Sequence, residues 1–453
     1  MVRKKVSSRR DFLKNTARIG AGIWVAGNAG CSLFGGYPPP RYRSPNEKLN
    51  IACIGVGGRG AADLDAVKGE NIVALCDVDD QRAAKSYEKF PKAKKYHDYR
   101  RLFDELHETI DAVVIATPDH MHAPIAMRAI KEGMHVYCEK PLTHDLYEAR
   151  RLAEAAAEAK VATQMGNQGT ALDGFRSGVE TLRSGVLGPV REVHVWTNRP
   201  IWPQGMGRPK DTPPVPPYLK WDLFLGTAPE RPYNPAYHPF KWRGWWDFGT
   251  GALGDMGCHT ANLAFMGLEL RHPISAEARS SDFNRESFPI WSVITLEFPA
   301  VGGKPPLKWT WYDGGDKKPA EVTKKIQAML EGEKMAESGL LVVGDKGKLY
   351  SPNDYGEKWM LLPKENFTGF TPPPPTLPRS PGHHAEWIRA CKGGPKCLSD
   401  FSYAGPLTET ILLGNVALYV GKKIIWDAKR CKVANIPEAD RLVRREYRAG
   451  YTL

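Results

Sequence analysis

Three side chains that lie far apart along the chain have the types and spacing for acid–base chemistry. Lys140 stands in the run Glu139-Lys140-Pro141, directly after an apolar strand-like run, and Asp255 and His259 stand four residues apart. Positions four apart on a helix share one face, so Asp255 and His259 can work as an acid–base pair. A lysine at a strand end can point into the crevice where α/β sheets bind ligands. A surface lysine, a helix cap and a core histidine remain the structural alternatives.

A glycine-rich turn is typical of a site for dinucleotide phosphates. The apolar run 49–54 leads into residues 55–60, GVGGRG, which have the spacing Gly-x-Gly-x-x-Gly. The first glycine permits a tight turn, the second lets the backbone approach a pyrophosphate, and the third lets helix and strand pack closely. Free N–H groups at the start of the next helix then favour an anion. The predicted cofactor-binding residues here are Gly55, Gly57, Gly58, Arg59 and Gly60.

A carboxylate after the second apolar run favours NAD as the cofactor. The run 71–76 ends at Asp77. A carboxylate at that point can bond both ribose hydroxyls of NAD, and it would repel the 2′-phosphate of NADP. We therefore predict NAD, with NADP less favoured. A turn that binds nothing is the alternative, but strand, glycines and carboxylate together favour the binding site.

The elements that must position these residues alternate between strand and helix over residues 49–165. Such alternation predicts a parallel, doubly wound sheet. After about residue 170 strand-like runs follow one another with few helices between them, which indicates a largely antiparallel second sheet. The fold class is therefore α/β, with a C-terminal α+β domain. The predicted later strands are 190–196, 291–298, 307–312 and 340–343, and helices at 383–391 and 406–420 are expected to return to the core.

Four ordered motifs together resemble the Gfo/Idh/MocA family of glucose–fructose oxidoreductase, inositol dehydrogenase and relatives. They are the glycine-rich turn, a T-P-[ND]-x-x-H turn at 117–122, the E-K-P tripeptide at 139–141 and a G-G-x-L-x-D-x-G-x-H helix at 251–259. The resemblance implies an N-terminal Rossmann domain and an open-faced sheet that often dimerises. It implies cofactor contacts at Thr117, Pro118, His120, His122, Glu139 and Lys140, and a reacting set of Lys140, Asp255 and His259.

The resemblance implies an NAD-dependent oxidoreductase acting on a hydroxyl carbon of a sugar or polyol. His259 would take the hydroxyl proton, oriented by Asp255, and Lys140 would stabilise the oxygen. Two alternatives stay open: an NAD-dependent glycoside hydrolase that oxidises transiently and eliminates, and a non-catalytic sugar-binding lipoprotein. An intact Lys140, Asp255 and His259 argues against the last.

Five further residues are candidates for binding the sugar. Asn167, Gln168 and Arg176 follow the last strand of the first sheet and can hold hydroxyl groups, with loop capping as the alternative. Trp245 and Trp246 can stack on a sugar face, although core packing is the stronger interpretation for at least one of them.

The N-terminus has the pattern of an export signal. Residues 8–14, SRRDFLK, are typical of a twin-arginine signal, and Cys31 follows a short, weakly apolar stretch. We predict a signal peptide over 1–31, a tether over 32–47, the NAD-binding domain over 48–168 and a substrate and oligomerisation domain over 169–453. The protein is then periplasmic or lipid-anchored at Cys31, with no other membrane contact.

Charge and cysteine content restrict the partners. The formal charge is +12, and residues 1–30 hold half of it, so the rest of the chain has no basic stripe for nucleic acid. A small-molecule carbohydrate and a homo-oligomer, dimer or tetramer, are the expected partners. Cys391, Cys397 and Cys431 can supply one disulfide, and no histidine or cysteine spacing predicts a metal site.

Overall fold

Six parallel strands form the first sheet. They are β1 (Asn50–Ile54), β2 (Asn71–Cys76), β3 (Lys94–Tyr96), β4 (Ala112–Ile115), β5 (His135–Cys138) and β6 (Thr163–Met165). Their spatial order is β3-β2-β1-β4-β5-β6. The central strands β1 and β4 are mostly apolar because helices cover both faces of a parallel sheet. The predicted doubly wound sheet is therefore confirmed, and the glycine-rich turn leaves it at the end of a central strand.

Six helices belong to this layer. They are α1 (Arg59–Ala66), α2 (Asp80–Lys89), α3 (Tyr99–Leu106), α4 (His122–Lys131), α5 (Leu146–Ala159) and α6 (Asp173–Arg183). Helices α2, α3 and α5 begin at aspartate caps. Helix α5 starts with a capping box, in which Asp145 accepts from the Glu148 amide and Glu148 accepts from the Asp145 amide. Such a box satisfies two amide donors that would otherwise lack a partner.

A nine-stranded sheet forms the second layer. Its strands are β7 (Val190–Trp196), β8 (Ser275–Ser280), β9 (Ser292–Phe298), β10 (Leu307–Tyr312), β11 (Gly339–Gly344), β12 (Gly347–Ser351), β13 (Met360–Leu362), β14 (Ile424–Asp427) and β15 (Lys432–Val433). The order is β13-β12-β11-β7-β10-β9-β8-β14-β15, and every neighbouring pair except β7 and β10 is antiparallel. The largely antiparallel sheet was correctly predicted.

The remaining helices connect the layers and cover the second sheet. They are α7 (Trp221–Leu225), α8 (Gly251–Thr260), α9 (Asn262–Gly267), α10 (Ala320–Ala328), α11 (His383–Cys391), α12 (Phe401–Val420) and α13 (Asp440–Val443). Helix α12 packs against α5, α8 and β8, so it holds the two layers together. Helix α10 places Val322 and Ile326 against Trp196 and Tyr350 of the sheet, which covers that part of its face with the chain itself.

The computed structural model describes residues 36–453, so the predicted export signal and Cys31 lie outside the described residues. No helix within 36–453 is long and apolar enough to cross a bilayer. In the same range no group of three His, Cys, Asp or Glu side chains is arranged to hold a metal ion. Cys391, Cys397 and Cys431 are free thiols, which contradicts the expected disulfide. Cys391 and Cys397 are instead small apolar members of the first layer's core.

Candidate active site

A cleft of about 520 Å³ lies where the chain leaves β1, β4 and β5. Ligands of open α/β sheets bind at this edge. The cleft brings together most of the predicted site residues, which lie far apart in the sequence. Those that line it are Gly55, Gly57, Gly58, Arg59, Asp77, Thr117, Pro118, Glu139, Lys140, Gln168, Asp255 and His259.

The glycine-rich turn has a backbone shape and close packing that residues with a Cβ atom would disturb. Gly55 has a φ of +79°, which a residue with a Cβ atom rarely adopts. A Cβ on Gly60 would lie 1.7 Å from the carbonyl oxygen of Gly55. Gly60 does not line the cleft, and its role is the close contact of α1 with the turn. Gly58 precedes α1 without a side-chain cap, so the first amides of the helix are available to an anion.

Asp77 closes the turn from the neighbouring strand. Its Oδ2 accepts from the amides of Val56 and Gly57 at 2.8 and 3.0 Å, and its Oδ1 accepts from the amide of Asp79 at 3.0 Å. A carboxylate has about four acceptor positions, so these three bonds leave one, and Asp77 lines the cleft. Burial raises the pKa of Asp77. Asp77 therefore shapes the turn as well as facing the predicted ribose position.

Lys140 and Asp255 form the central contact of the cleft. Lys140 Nζ donates to Asp255 Oδ1 at 2.7 Å and to the Asp255 carbonyl oxygen at 3.0 Å, and Arg243 Nε donates to the same Oδ1 at 3.2 Å. Burial disfavours the Asp255 carboxylate, but the charges of Lys140 and Arg243 outweigh it and lower the pKa of Asp255 to about 2. Asp255 correspondingly raises the pKa of Lys140 against the effect of burial. The contact is therefore an ion pair.

His259 is a neutral imidazole on the same face of α8 as Asp255. Burial and the charge of Lys140 lower the pKa of His259 well below its ordinary value. Its Nδ1 is buried and has no hydrogen-bond partner within residues 36–453. The Tyr355 ring packs edge-on against it with the ring centroids 4.9 Å apart. No hydrogen bond joins Asp255 to His259 in the described chain, so the predicted orientation of His259 by Asp255 is not observed.

Glu139 lies at the junction of the turn and the first layer's last loop. Its Oε1 accepts from Arg59 Nε at 3.0 Å and from Gln168 Nε2 at 2.9 Å. Burial raises the pKa of Glu139. Arg59 also pairs with the buried Asp63 of α1 at 2.8 Å. Glu139 thus ties the glycine-rich turn to the loop that carries Gln168.

The two histidines of the 117–122 turn do not line the cleft. The ring nitrogens of His120 lie 2.9 Å from the Phe224 carbonyl oxygen and 3.2 Å from that of Phe248. Those of His122 lie 2.8 Å from the Pro141 oxygen and 2.9 Å from the Thr117 oxygen. Both imidazole rings are therefore buried and hold the loops together through backbone carbonyl groups. The structure does not place them in the cleft, where the predicted contact with a cofactor would be made.

Four of the five predicted sugar-binding residues also lie outside the cleft. Asn167 is buried and donates to the Cys258 oxygen at 3.4 Å, while Arg176 is buried in an ion pair with Glu386. Trp245 is 0% exposed and donates to the Ala236 oxygen at 2.7 Å. Trp246 packs against Phe288 and Tyr419. Internal partners satisfy these side chains, and only Gln168 faces the cleft.

The structure adds residues that the sequence did not single out. Asp119, whose Oδ2 accepts from Thr250 Oγ1 at 2.6 Å, lines the cleft, and burial raises its pKa to about 7. Trp202, Phe240, Trp242 and Arg243 also line the cleft. The density of tryptophans at 242–246 was the available signal, but it did not indicate which of them face the cleft.

Comparisons with known proteins agree with this architecture. Residues 49–167 match a model of an oxidoreductase family with an NAD-binding Rossmann fold, and residues 190–304 match the C-terminal alpha/beta domain of the same family. A glycosyl hydrolase family 109 protein of Solibacter usitatus is 32% identical over 164 residues, which are 33% of this chain and 36% of that protein. An inositol 2-dehydrogenase of Rubrobacter xylanophilus is 34% identical over 120 residues, which are 26% of this chain and 34% of that protein. The chain therefore spans about a third of the length of these curated relatives.

Solved structures share the fold over most of their length. An inositol dehydrogenase homolog from Azotobacter vinelandii, complexed with NADH and myo-inositol, has a TM-score of 0.55 at 18% identity, covering 86% of this chain and 99% of that one. An aldose-aldose oxidoreductase from Caulobacter crescentus has a TM-score of 0.55 at 17% identity, covering 84% and 100%. At such identities the likeness establishes the fold and not the substrate.

Proposed function

The chain belongs to the Gfo/Idh/MocA oxidoreductase family, and we propose on this premise that it oxidises a hydroxyl-bearing carbon of a sugar or polyol with NAD. The observation that carries the proposal is the ion pair of Lys140 with Asp255 beside the neutral His259, at the end of a cleft that begins with the glycine-rich turn.

The residues present fit NAD. The glycine-rich turn is closely packed, since a Cβ on Gly55 or Gly60 would collide with neighbouring backbone, and the uncapped start of α1 offers amides to a pyrophosphate. Asp77 lines the same cleft with a free acceptor position for a ribose hydroxyl. When bound, NAD supplies the hydride acceptor.

The side chains of this protein supply the proton chemistry. Lys140 keeps its proton and donates toward the substrate oxygen, where negative charge develops. His259 is neutral, so it can accept the hydroxyl proton without first losing one. Asp255 positions Lys140 through Oδ1 and its backbone oxygen, and we assign it this role in place of orienting His259.

Glycoside hydrolysis by transient oxidation is the second candidate. It uses the same three residues, and the similarity to a glycosyl hydrolase family 109 protein favours it. A non-catalytic sugar-binding protein would not need an ion pair beside an unpartnered buried imidazole. Incubation of purified protein with glycosides and free sugars, with and without added NAD, separates these functions by their products. An oxidised sugar with NADH supports the oxidoreductase, and a released aglycone without NADH supports the hydrolase.

We further propose that the protein is exported folded through the twin-arginine route, with NAD already bound, and remains periplasmic or lipid-anchored at Cys31. Outside the cytoplasm no maintained NAD pool exists, so an enzyme that released NADH would stop after one turnover. The cofactor would therefore be retained and its hydride returned or passed to a second acceptor. A near-stoichiometric amount of nicotinamide nucleotide in denatured protein from the exported fraction supports retention. Protein that arrives empty and accumulates free NADH contradicts it.

A homo-oligomer, dimer or tetramer, completes the proposal. Its support is the resemblance to a family whose open-faced second sheet often dimerises, and residues 190–304 match the C-terminal domain of that family. Light scattering during size-exclusion chromatography measures the mass directly, and a single-chain mass contradicts the proposal.

A further inference from the structure

The cleft carries an aromatic cluster, formed by Trp202, Phe240, Trp242 and Arg243, whose three aromatic rings have no role in the proposed reaction. All four line the cleft, and Phe240 is 43% exposed. Ile201, beside them in the lining, is 63% exposed. Large apolar side chains that remain open to water in a cleft indicate a binding surface.

Arg243 fixes the cluster from within. Its guanidinium carbon lies 4.3 Å from the ring centroid of Trp242 and 4.7 Å from that of Phe240. Its Nη1 donates to the Phe240 carbonyl oxygen at 3.3 Å. The Trp202 ring meets Phe240 edge-on at 6.1 Å and is anchored by its Nε1, which donates to Gln204 Oε1 at 2.8 Å. Phe240 is therefore a supported ring that still has surface open to a ligand.

The cluster stands one side chain away from the reacting position. Arg243 contacts Phe240 with its guanidinium group and Asp255 with its Nε, and Asp255 in turn holds Lys140. A sugar ring bound on Phe240 would therefore be a different ring from the one that reacts at Lys140 and His259, and it would lie next to that ring. It lies where the next unit of a longer substrate would lie.

The cluster offers a ring face to a ligand. The Arg243 guanidinium is held against Asp255 and the rings of Trp242 and Phe240, so the group presented beside it is the exposed part of the Phe240 ring. An exposed aromatic face attracts the C–H face of a pyranose. Resting on the proposed function, we infer that the substrate is a glycoside of at least two rings, whose second pyranose stacks on Phe240.

The test measures affinity, independently of turnover, on the full chain loaded with NAD. Isothermal titration calorimetry gives the dissociation constants of D-glucose, D-galactose, D-mannose and N-acetyl-D-glucosamine. The same measurement follows for cellobiose, maltose, lactose, mannobiose and chitobiose, which carry these sugars at the non-reducing end. For the sugar that binds, we expect its disaccharide to bind about tenfold tighter, since an aromatic stacking contact is worth up to about a factor of ten.

Variants at Phe240 assign the difference to the ring. In Phe240→Ala and Phe240→Leu the ratio of the two dissociation constants is expected to fall to near one, whereas Phe240→Trp keeps it. Leucine retains the apolar volume, so a folding defect in the alanine variant does not decide the result. Tyr218→Ala is the matched control, because Tyr218 is 39% exposed but does not line the cleft, and its ratio should equal that of the wild type.

Three results overturn the inference. A disaccharide that binds no tighter than its monosaccharide, or an unchanged ratio in Phe240→Leu, removes the second-ring site and leaves the proposed oxidoreductase intact. If no sugar binds the NAD-loaded protein, the proposed function fails and this inference fails with it.

Discussion

The two ends of the cleft are built in different ways. The cofactor end consists of backbone from one continuous segment, residues 55–60, closed by a single carboxylate, Asp77. The reacting end consists of side chains from three distant segments, which meet through the charges of Lys140, Arg243 and Asp255. The first end should therefore be sensitive to an added Cβ atom, and the second to a lost charge.

Loss of the reacting side chains should have the largest effect. Lys140→Ala and His259→Ala are each expected to lower kcat about a thousandfold, because removing an oxygen stabiliser or a base costs about 10² to 10⁴ in rate. NAD should still bind, since neither residue belongs to the glycine-rich turn. Steady-state turnover and NAD titration measure the two effects separately. Lys85→Ala, at an exposed position, is the control, and near wild-type turnover in both site variants would contradict the assignment.

An added methyl group should damage the cofactor end instead. In Gly60→Ala the new Cβ would lie 1.7 Å from the Gly55 carbonyl oxygen, so the turn must move. We expect NAD affinity to fall about a hundredfold, equivalent to about 3 kcal/mol, the upper range for overpacking. Gly69→Ala is the matched control because a Cβ there meets nothing within 4 Å. Equal NAD affinity in the two variants would show that the turn is not closely packed.

The charge balance at Asp255 predicts a shift along the pH axis. The pKa of Asp255 is about 2, because Lys140 and Arg243 together outweigh its burial. Arg243→Met removes one of these charges, so the pKa should rise and the acid limb of kcat/KM should move up by about one unit. The stability that Asp255 contributes is complete above about pH 3.9 and is lost as pH falls toward 2.

The control for this shift is Arg191→Met, which removes an exposed ion pair with Asp345. Such pairs contribute little, so its profile should match that of the wild type. His259 adds a second expectation: its pKa is well below normal, so activity should not decline as pH falls through about 6.5. If activity instead declined near pH 6.5, and at the same pH in the wild type and in Arg243→Met, the assigned charges of His259 and Asp255 would be contradicted.

Cofactor preference should show the smallest effect. Asp77 would face the 2′-phosphate of NADP with like charge, so NAD should bind at least about tenfold tighter. The opposing influence is Arg82, an exposed cation close to Gly58. Asp77→Ser should reduce the ratio of NADP to NAD dissociation constants. It should also weaken NAD binding, because the amides of Val56 and Gly57 lose their acceptor. Competitive titration measures the dissociation constants of both cofactors. Equal affinities in the wild type would place Asp77 outside the ribose site.

The cofactor end of the cleft, which is one continuous segment, was easier to predict from the sequence than the reacting end. The glycine-rich turn is contiguous, so its spacing was readable from the sequence. Strands β2, β7 and β10 were predicted with the observed limits because each contains several apolar or aromatic side chains. Strand β3 (Lys94–Tyr96) was missed because it is short and polar, and its pairing with β2 comes from tertiary contact.

The reacting end was only partly predictable because it depends on distant partners. Asp255 and His259 share a face of α8 as predicted, but the contact of Asp255 with Arg243 depends on a short turn, Lys241–Gly244, that no local pattern specifies. Trp242 and Trp245 both belong to one buried aromatic cluster, and of the two only Trp242 also lines the cleft. Arg176 was misassigned because its partner, Glu386, lies on α11, far along the chain.

A single-turnover experiment asks whether the ion-paired Lys140 is needed for hydride transfer from the substrate to NAD. NAD-loaded wild type and Lys140→Ala are mixed rapidly with each sugar and glycoside of the panel, and the fluorescence of bound NADH is followed. We expect an NADH signal, lasting or transient, with at least one compound in the wild type, and a signal that forms about a thousandfold more slowly in Lys140→Ala, although both bind NAD. A wild type that binds NAD and a sugar but never forms NADH, or a Lys140→Ala variant that forms it at the wild-type rate, would contradict the account.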